Sequence, residues 1–185
     1  MSPNPGPNAK ATLLRKSSRI LWLRTFSKYH LILCMSGVQS ENLKVAVIGA
    51  SRGLGLALTK LLQKDPRVGV IKAISRKPHQ SADLTKVQPF VYDLSSEDLS
   101  PLCTELELFQ PDKIIYCAGG GPFSRFEDAK WSAHSWAFHV TFLSAAKLAH
   151  WYMARAEASA AHQFIMVGSS IAESQGDANA SSYAA

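Results

Sequence analysis

No acidic residue precedes Glu41, although Lys10, Arg15, Lys16, Arg19, Arg24 and Lys28 all do. The chain has 20 lysines and arginines and 14 acids, so from Glu41 onward 14 bases face 14 acids. The formal net charge of +6 therefore sits in the leader. A neutral globular part offers no basic face for nucleic acid. No apolar run approaches the roughly 20 residues of a membrane span. Cysteine is scarce: Cys34, Cys103 and Cys117 share neither a metal-like nor a disulfide-framework spacing. That usage suits a reducing compartment, with the thiols read as small buried hydrophobes. His134, His139 and His150 lack i, i+4 spacing with an acidic third ligand, so no metal site is expected.

What is present is a chain of 185 residues, 46% of them apolar, enough for one globular domain. Its leader opens with a Pro/Asn/Gly tract and continues basic and acid-free. Two readings fit. It is sequence upstream of a start at Met35-Ser36-Gly37, or residues 1–34 are an organellar transit peptide. Both set residues 1–40 outside the fold and give 41–185 to the domain. The first expects a cytoplasmic protein, the second a mitochondrial or other organellar one.

Leu43 to Ile48 is a nearly unbroken apolar run, which reads as a strand buried on both faces of a parallel sheet. It ends in Gly49-Ala50-Ser51-Arg52-Gly53-Leu54-Gly55, and Leu54, Leu58, Leu61 and Leu62 then follow at helical spacing. Strand, glycine turn and helix open a dinucleotide-binding βαβ unit, whose helix N-terminus offers free N–H groups to a pyrophosphate. The spacing is G-x-x-x-G-x-G, not G-x-G-x-x-G. A plain structural turn is the alternative.

A second strand, Val68 to Ile74, runs into Ser75-Arg76-Lys77. An acid there would bond the 2′-hydroxyl of NAD. None is present; two cations, Arg76 and Lys77, stand there instead, with Arg52 in the glycine turn as a third, and arginine suits the 2′-phosphate of NADP. The alternative is ordinary solvated charge. Val87 to Tyr92 forms a third strand, ended by Asp93-Leu94, and a helix capped by Ser95 or Ser96 runs to about Phe109. Lys113 to Cys117 is a fourth strand leading into Ala118-Gly119, and a long helical pattern extends from Ala129 to about Ala158. Gln163 to Val167 is a fifth, closed by Gly168-Ser169-Ser170.

Three features in order carry a family resemblance over residues 43–185. They are the glycine pattern, Ala118-Gly119 after the fourth strand, and Ser170 followed thirteen residues later by Tyr183. The chain resembles the N-terminal portion of the short-chain dehydrogenase/reductase family, of the classical type. That resemblance implies an α/β fold, a Rossmann-type doubly wound parallel sheet of order 3-2-1-4-5, with the C-terminal strands missing. It implies hydride transfer between nicotinamide and a carbonyl or alcohol substrate, and the cations at the end of the second strand make NADP(H) the expected cofactor over NAD(H). Gly49, Ser51, Arg52, Gly53, Leu54, Gly55, Arg76, Asp93, Leu94, Ala118 and Gly119 would hold the cofactor, Asp93 through the adenine amino group.

Ser170 and Tyr183 would be catalytic. A free tyrosine, of pKa about 10, is a poor proton donor and acceptor near neutrality, and a neighbouring ammonium brings it toward working pH. A serine hydroxyl stabilises the charge growing on the substrate oxygen. The family's lysine would fall at position 187, beyond Ala185, so an incomplete chain is expected, inactive as given. Its fifth strand would be a bare edge, and the full-length protein would be a homo-oligomer. Departures are Cys117 and Tyr116 where the family has two asparagines, Ile48 for a threonine, and His139 for an asparagine. Ile48 and Cys117 are expected to replace a polar tie between the first and fourth strands by packing together. Two further readings stay open: a non-catalytic NADP-binding regulator of the same fold, and a nucleotide-sugar epimerase or dehydratase relative.

Overall fold

The computed structural model describes residues 20–23, 42–77, 84–155, 162–169, 179, 180 and 182. Their framework is one parallel sheet, and the apolar runs decide its strands. These are β1 (Ile20–Leu23), β2 (Leu43–Ile48), β3 (Val68–Ser75), β4 (Val87–Val91), β5 (Lys113–Tyr116) and β6 (Gln163–Val167). The order across the sheet is β1-β6-β5-β2-β3-β4. From β2 onward this is the expected 3-2-1-4-5 arrangement.

β2 sits at the centre because it can be buried on both sides: Val45, Ala46, Val47 and Ile48 are at most 1% exposed. Its alternation sends Val45 and Val47 to one face and Ala46 and Ile48 to the other. The first face is covered by α1 (Gly53–Lys64), which buries Leu58 and Leu62. The second is covered by α2 (Ser100–Phe109) through Leu102, Leu106 and Phe109, and by α4 (Ser144–Arg155) through Ala145, Leu148 and Tyr152. β4 is an outer strand, as Pro89 requires, since proline has no N–H for a second neighbour. Among the described residues no helix is long and apolar enough to cross a membrane.

The structure revises the helical boundaries. α2 starts at Ser100, not at Ser95 or Ser96, because Pro101 is tolerated only in the first turn of a helix. The Asp98 carboxylate accepts the Ser100 N–H at 2.9 Å, and Ser95 is drawn instead into a turn on Asp93. The long pattern from Ala129 divides into α3 (Trp131–Phe138), a π-helical turn over His139–Leu143, and α4. The Ser144 N–H reaches back to the His139 carbonyl, one residue further than in an α-helix.

The larger correction concerns the leader. Four of the residues expected outside the fold, Ile20–Leu23, pair in parallel with Phe164–Val167 along the outer side of β6. The anticipated bare edge of the fifth strand is therefore covered by β1. The backbone N–H and C=O groups of β6 supply the reason, since an apolar strand with an unpaired side recruits whatever extended segment can reach it. Removing residues 1–34 is accordingly expected to lower the melting temperature and to promote self-association of the exposed edge. Thermal denaturation and light scattering of the shortened chain check this, and an unchanged, monodisperse protein would speak against the β1–β6 pairing.

Candidate active site

At the C-terminal ends of β2, β3, β5 and β6 the chain leaves a cleft of about 450 Å³. Gly49, Ser51, Arg52, Gly53, Leu54, Gly55, Arg76, Asp93, Leu94, Ala118 and Gly119 all line it. Residues scattered along the sequence thus meet in one place, as expected where an open parallel sheet reverses its strand order.

The glycine turn owes its shape to two close backbone approaches. Gly49 has φ +87°, and a Cβ there would stand 2.7 Å from the Ala118 nitrogen. A Cβ on Gly55 would stand 2.2 Å from the Gly49 carbonyl oxygen. Neither position admits a side chain. The Gly49 and Ala50 N–H groups both bond the Ile74 carbonyl, at 2.9 and 3.1 Å, which locks the turn against β3. α1 begins at Gly53 with no side-chain cap and no acid in its first turn. Its first N–H groups and positive dipole end are left at the cleft, which fits an anionic group such as a pyrophosphate.

Asp93 is rigidly set. Its Oδ1 accepts from the Ser95 N–H at 3.0 Å and from the Ser95 hydroxyl at 2.9 Å. The backbone bond foremost, then the hydroxyl and the Arg76 charge, hold its carboxyl below the usual carboxylate range. It is an acceptor, as a contact to an adenine amino group would require. Elsewhere in the cleft, burial pushes the Cys117 thiol up to about 11, so it stays a neutral packing group.

The anticipated packing of Ile48 on Cys117 is not found. Ile48 belongs to the core under α2 and α4, Cys117 to the core under α1. The two strands are joined there through the backbone, the Cys117 N–H donating to the Ile48 carbonyl at 2.8 Å. Alternation explains the outcome: Ile48 pairs with Tyr116, so Cys117, the next residue, faces the other way.

Other lining residues come from segments whose sequence reads only as core. Trp136 on α3 and Val140 and Thr141 on the π-helical turn also line the cleft. The Thr141 hydroxyl spans Gly120, accepting from its N–H and donating to its carbonyl, each at 3.3 Å. The buried Tyr116 hydroxyl donates to the Val140 carbonyl. The π-helical turn is thereby tied to the strand end at two points. His139, in the same turn, donates from Nε2 to the Ser96 carbonyl at 3.1 Å and does not line the cleft.

The two expected catalytic residues, Ser170 and Tyr183, lie outside the described residues. Their neighbours do not. Ser169 lines the cleft, and Ser182 is buried against α3. There its hydroxyl meets His134 Nδ1, while His134 Nε2 donates to the Phe126 carbonyl at 2.9 Å. A carbonyl can only accept, so Nε2 carries the proton and Nδ1 takes the serine hydroxyl in the neutral ring. The Phe126 ring stacks on the imidazole with centroids 4.3 Å apart. The Ser124 N–H also holds the Asn179 carbonyl, at 2.9 Å. Sequence offered no signal for this anchor, since a lone histidine on an apolar helix reads as core.

No protein-family model matches the chain, and no curated protein does. Solved structures do. One is a short chain dehydrogenase from Salmonella enterica serovar Typhi, at TM-score 0.66 and 18% identity, covering 79% of this chain and 65% of that one. A second is a short chain dehydrogenase family protein from Francisella tularensis, at TM-score 0.64 and 16% identity, covering 77% and 57%. A third is a short chain dehydrogenase from Leptospira borgpetersenii with bound NAD+, at TM-score 0.64 and 19% identity, covering 83% and 61%. The chain thus spans under two thirds of the length of each. Its fold is that of the short-chain dehydrogenases and reductases: a Rossmann-type parallel sheet with helices on both faces.

His134→Phe removes both polar contacts of the imidazole and leaves the buried Ser182 hydroxyl without an acceptor. A loss of about 1–3 kcal/mol in stability is expected. In a double-mutant cycle with Ser182→Ala the two losses should not add, because the serine has nothing left to lose. Urea denaturation of the four proteins measures this, and strict additivity would show that the pair is not coupled.

Proposed function

We propose that this chain carries the cofactor-binding half, and the start of the catalytic half, of an NADP-dependent oxidoreductase of the short-chain type. It would act on a carbonyl or alcohol substrate. The observation that carries this reading is the convergence of all eleven expected cofactor residues on one cleft beside an uncapped helix N-terminus. The nicotinamide would supply or accept the hydride. Gly49, Gly53 and Gly55 keep side chains away from the pyrophosphate, the α1 N-terminus favours its charge, and Asp93 accepts from the adenine amino group.

Arg76 and Arg52 support the choice of NADP, since both line the cleft and no acid stands at the end of β3 to bond a bare 2′-hydroxyl. Tyr183 would give or take the proton at the substrate oxygen, and Ser170 would stabilise charge on that oxygen. Cysteine usage supports a cytoplasmic setting, and the exposed Phe142 and Leu143 support self-association of the whole protein.

A second reading, a non-catalytic NADP-binding regulator, is favoured by one observation. His139, where a proton-relay asparagine is expected, turns its ring to Ser96 and away from the cleft.

Two measurements test these readings. NADPH should bind about tenfold tighter than NADH, a difference of about 1.4 kcal/mol, and Arg76→Ala should erase it. Equal affinities by titration would refute the NADP assignment. In the whole protein Tyr183→Phe should abolish carbonyl reduction and leave NADPH affinity nearly unchanged, whereas Ser170→Ala should cost about a hundredfold in turnover. Absence of turnover in the unaltered whole protein, with NADPH still bound, would favour the regulator.

A further inference from the structure

We propose that Trp136 is a specificity-determining residue of the cleft: its indole presets the Arg76 guanidinium for a 2′-phosphate. The proposal rests on the NADP reading and adds to it the group that makes Arg76 effective. Arg76 follows directly on β3 and its residue is exposed, so on its own its long side chain would sample many rotamers. In the structure its guanidinium carbon lies 5.7 Å from the centroid of the Trp136 ring, reaching from the end of β3 to α3.

A guanidinium held over an aromatic ring uses its flat face and the positive charge spread over it. The N–H groups point outward in the plane and stay available. Among the described residues no hydrogen bond or ion pair engages those of Arg76. Its charge reaches Asp93, whose carboxyl is kept low by the Ser95 N–H first and by Arg76 in addition. Arg76 is therefore oriented and at the same time unspent, the condition for a forked contact to phosphate oxygens.

The platform is itself fixed. A Cβ on Gly120 would lie 3.6 Å from the indole, so the Gly120 backbone is close against it, and Thr141 holds that backbone from the π-helical turn. An arginine already ordered loses less freedom on meeting its ligand than a free one. Lysine in the same position would carry the charge without the flat face or the fork.

The test uses the whole 185-residue chain and needs no turnover. Binding of adenosine 2′,5′-bisphosphate and of adenosine 5′-monophosphate is measured by calorimetry, and the ratio of the two affinities is the readout. The unaltered chain should favour the bisphosphate by about tenfold. Trp136→Leu should reduce that ratio by about threefold or more, Trp136→Phe should keep most of it, and Arg76→Lys should resemble the leucine variant. If Trp136→Leu keeps the ratio while Arg76→Ala loses it, the role of Trp136 is overturned and the NADP reading stands. Equal weakening of both ligands by Trp136→Leu also overturns it, because the indole would then shape the cleft without selecting. If the unaltered chain shows no preference, the NADP reading and this proposal fall together.

Discussion

The close passage of one backbone over another at Gly49 is the constraint on which the rest of this structure depends. β2 and β5 are neighbours, and the chain leaving each must turn away within a few ångströms of the other. Only a residue with no Cβ and a positive φ can do this at Gly49, and only a second bare residue at Gly55 lets α1 start directly above. The α1 N-terminus is consequently aimed across the sheet's C-terminal rim. A side chain at either position would push α1 or the Ala118 loop outward and remove the cleft's floor.

Around that point the sheet keeps its two cores apart. Residues of β2 alternate between the α1 face and the α2/α4 face, and so do those of β5. Hydrophobic burial on both sides fixes register strongly, because a slip by one residue would exchange the faces. This is also why Ile48 and Cys117, close in the sheet, cannot pack on each other.

The central strands and the glycine turn were legible in the sequence because they obey local rules: apolar runs for doubly buried strands, glycine where backbone approaches backbone. The gathering of residues from Gly49 to Gly119 was expected only through the family resemblance that the glycine pattern, Ala118-Gly119 and the Ser170–Tyr183 spacing carry. Three things were not legible. The π-helical turn looks like uninterrupted helix in any hydrophobic pattern, since an extra residue in one turn changes hydrogen bonding and not composition. Trp136, Thr141 and the His134–Ser182 anchor acquire roles only through contacts with segments far along the chain. β1 was missed because charge and composition describe the leader as a whole, while four residues decide whether an open strand edge is filled.

The pairing of β1 with β6 also bears on the order in which the molecule assembles. Ile20 meets Phe164, so most of the chain lies between the two partners. Every other adjacency in the sheet joins strands closer in sequence. Contacts of such long range close a large loop before they return any hydrogen bond, and they form slowly. During synthesis β1 leaves the ribosome before β6, and it does not pair with β6 until that strand emerges. Of the six strands described, β1 is thus made long before it can dock, and as a short outer strand it belongs to the part of the sheet that opens most readily.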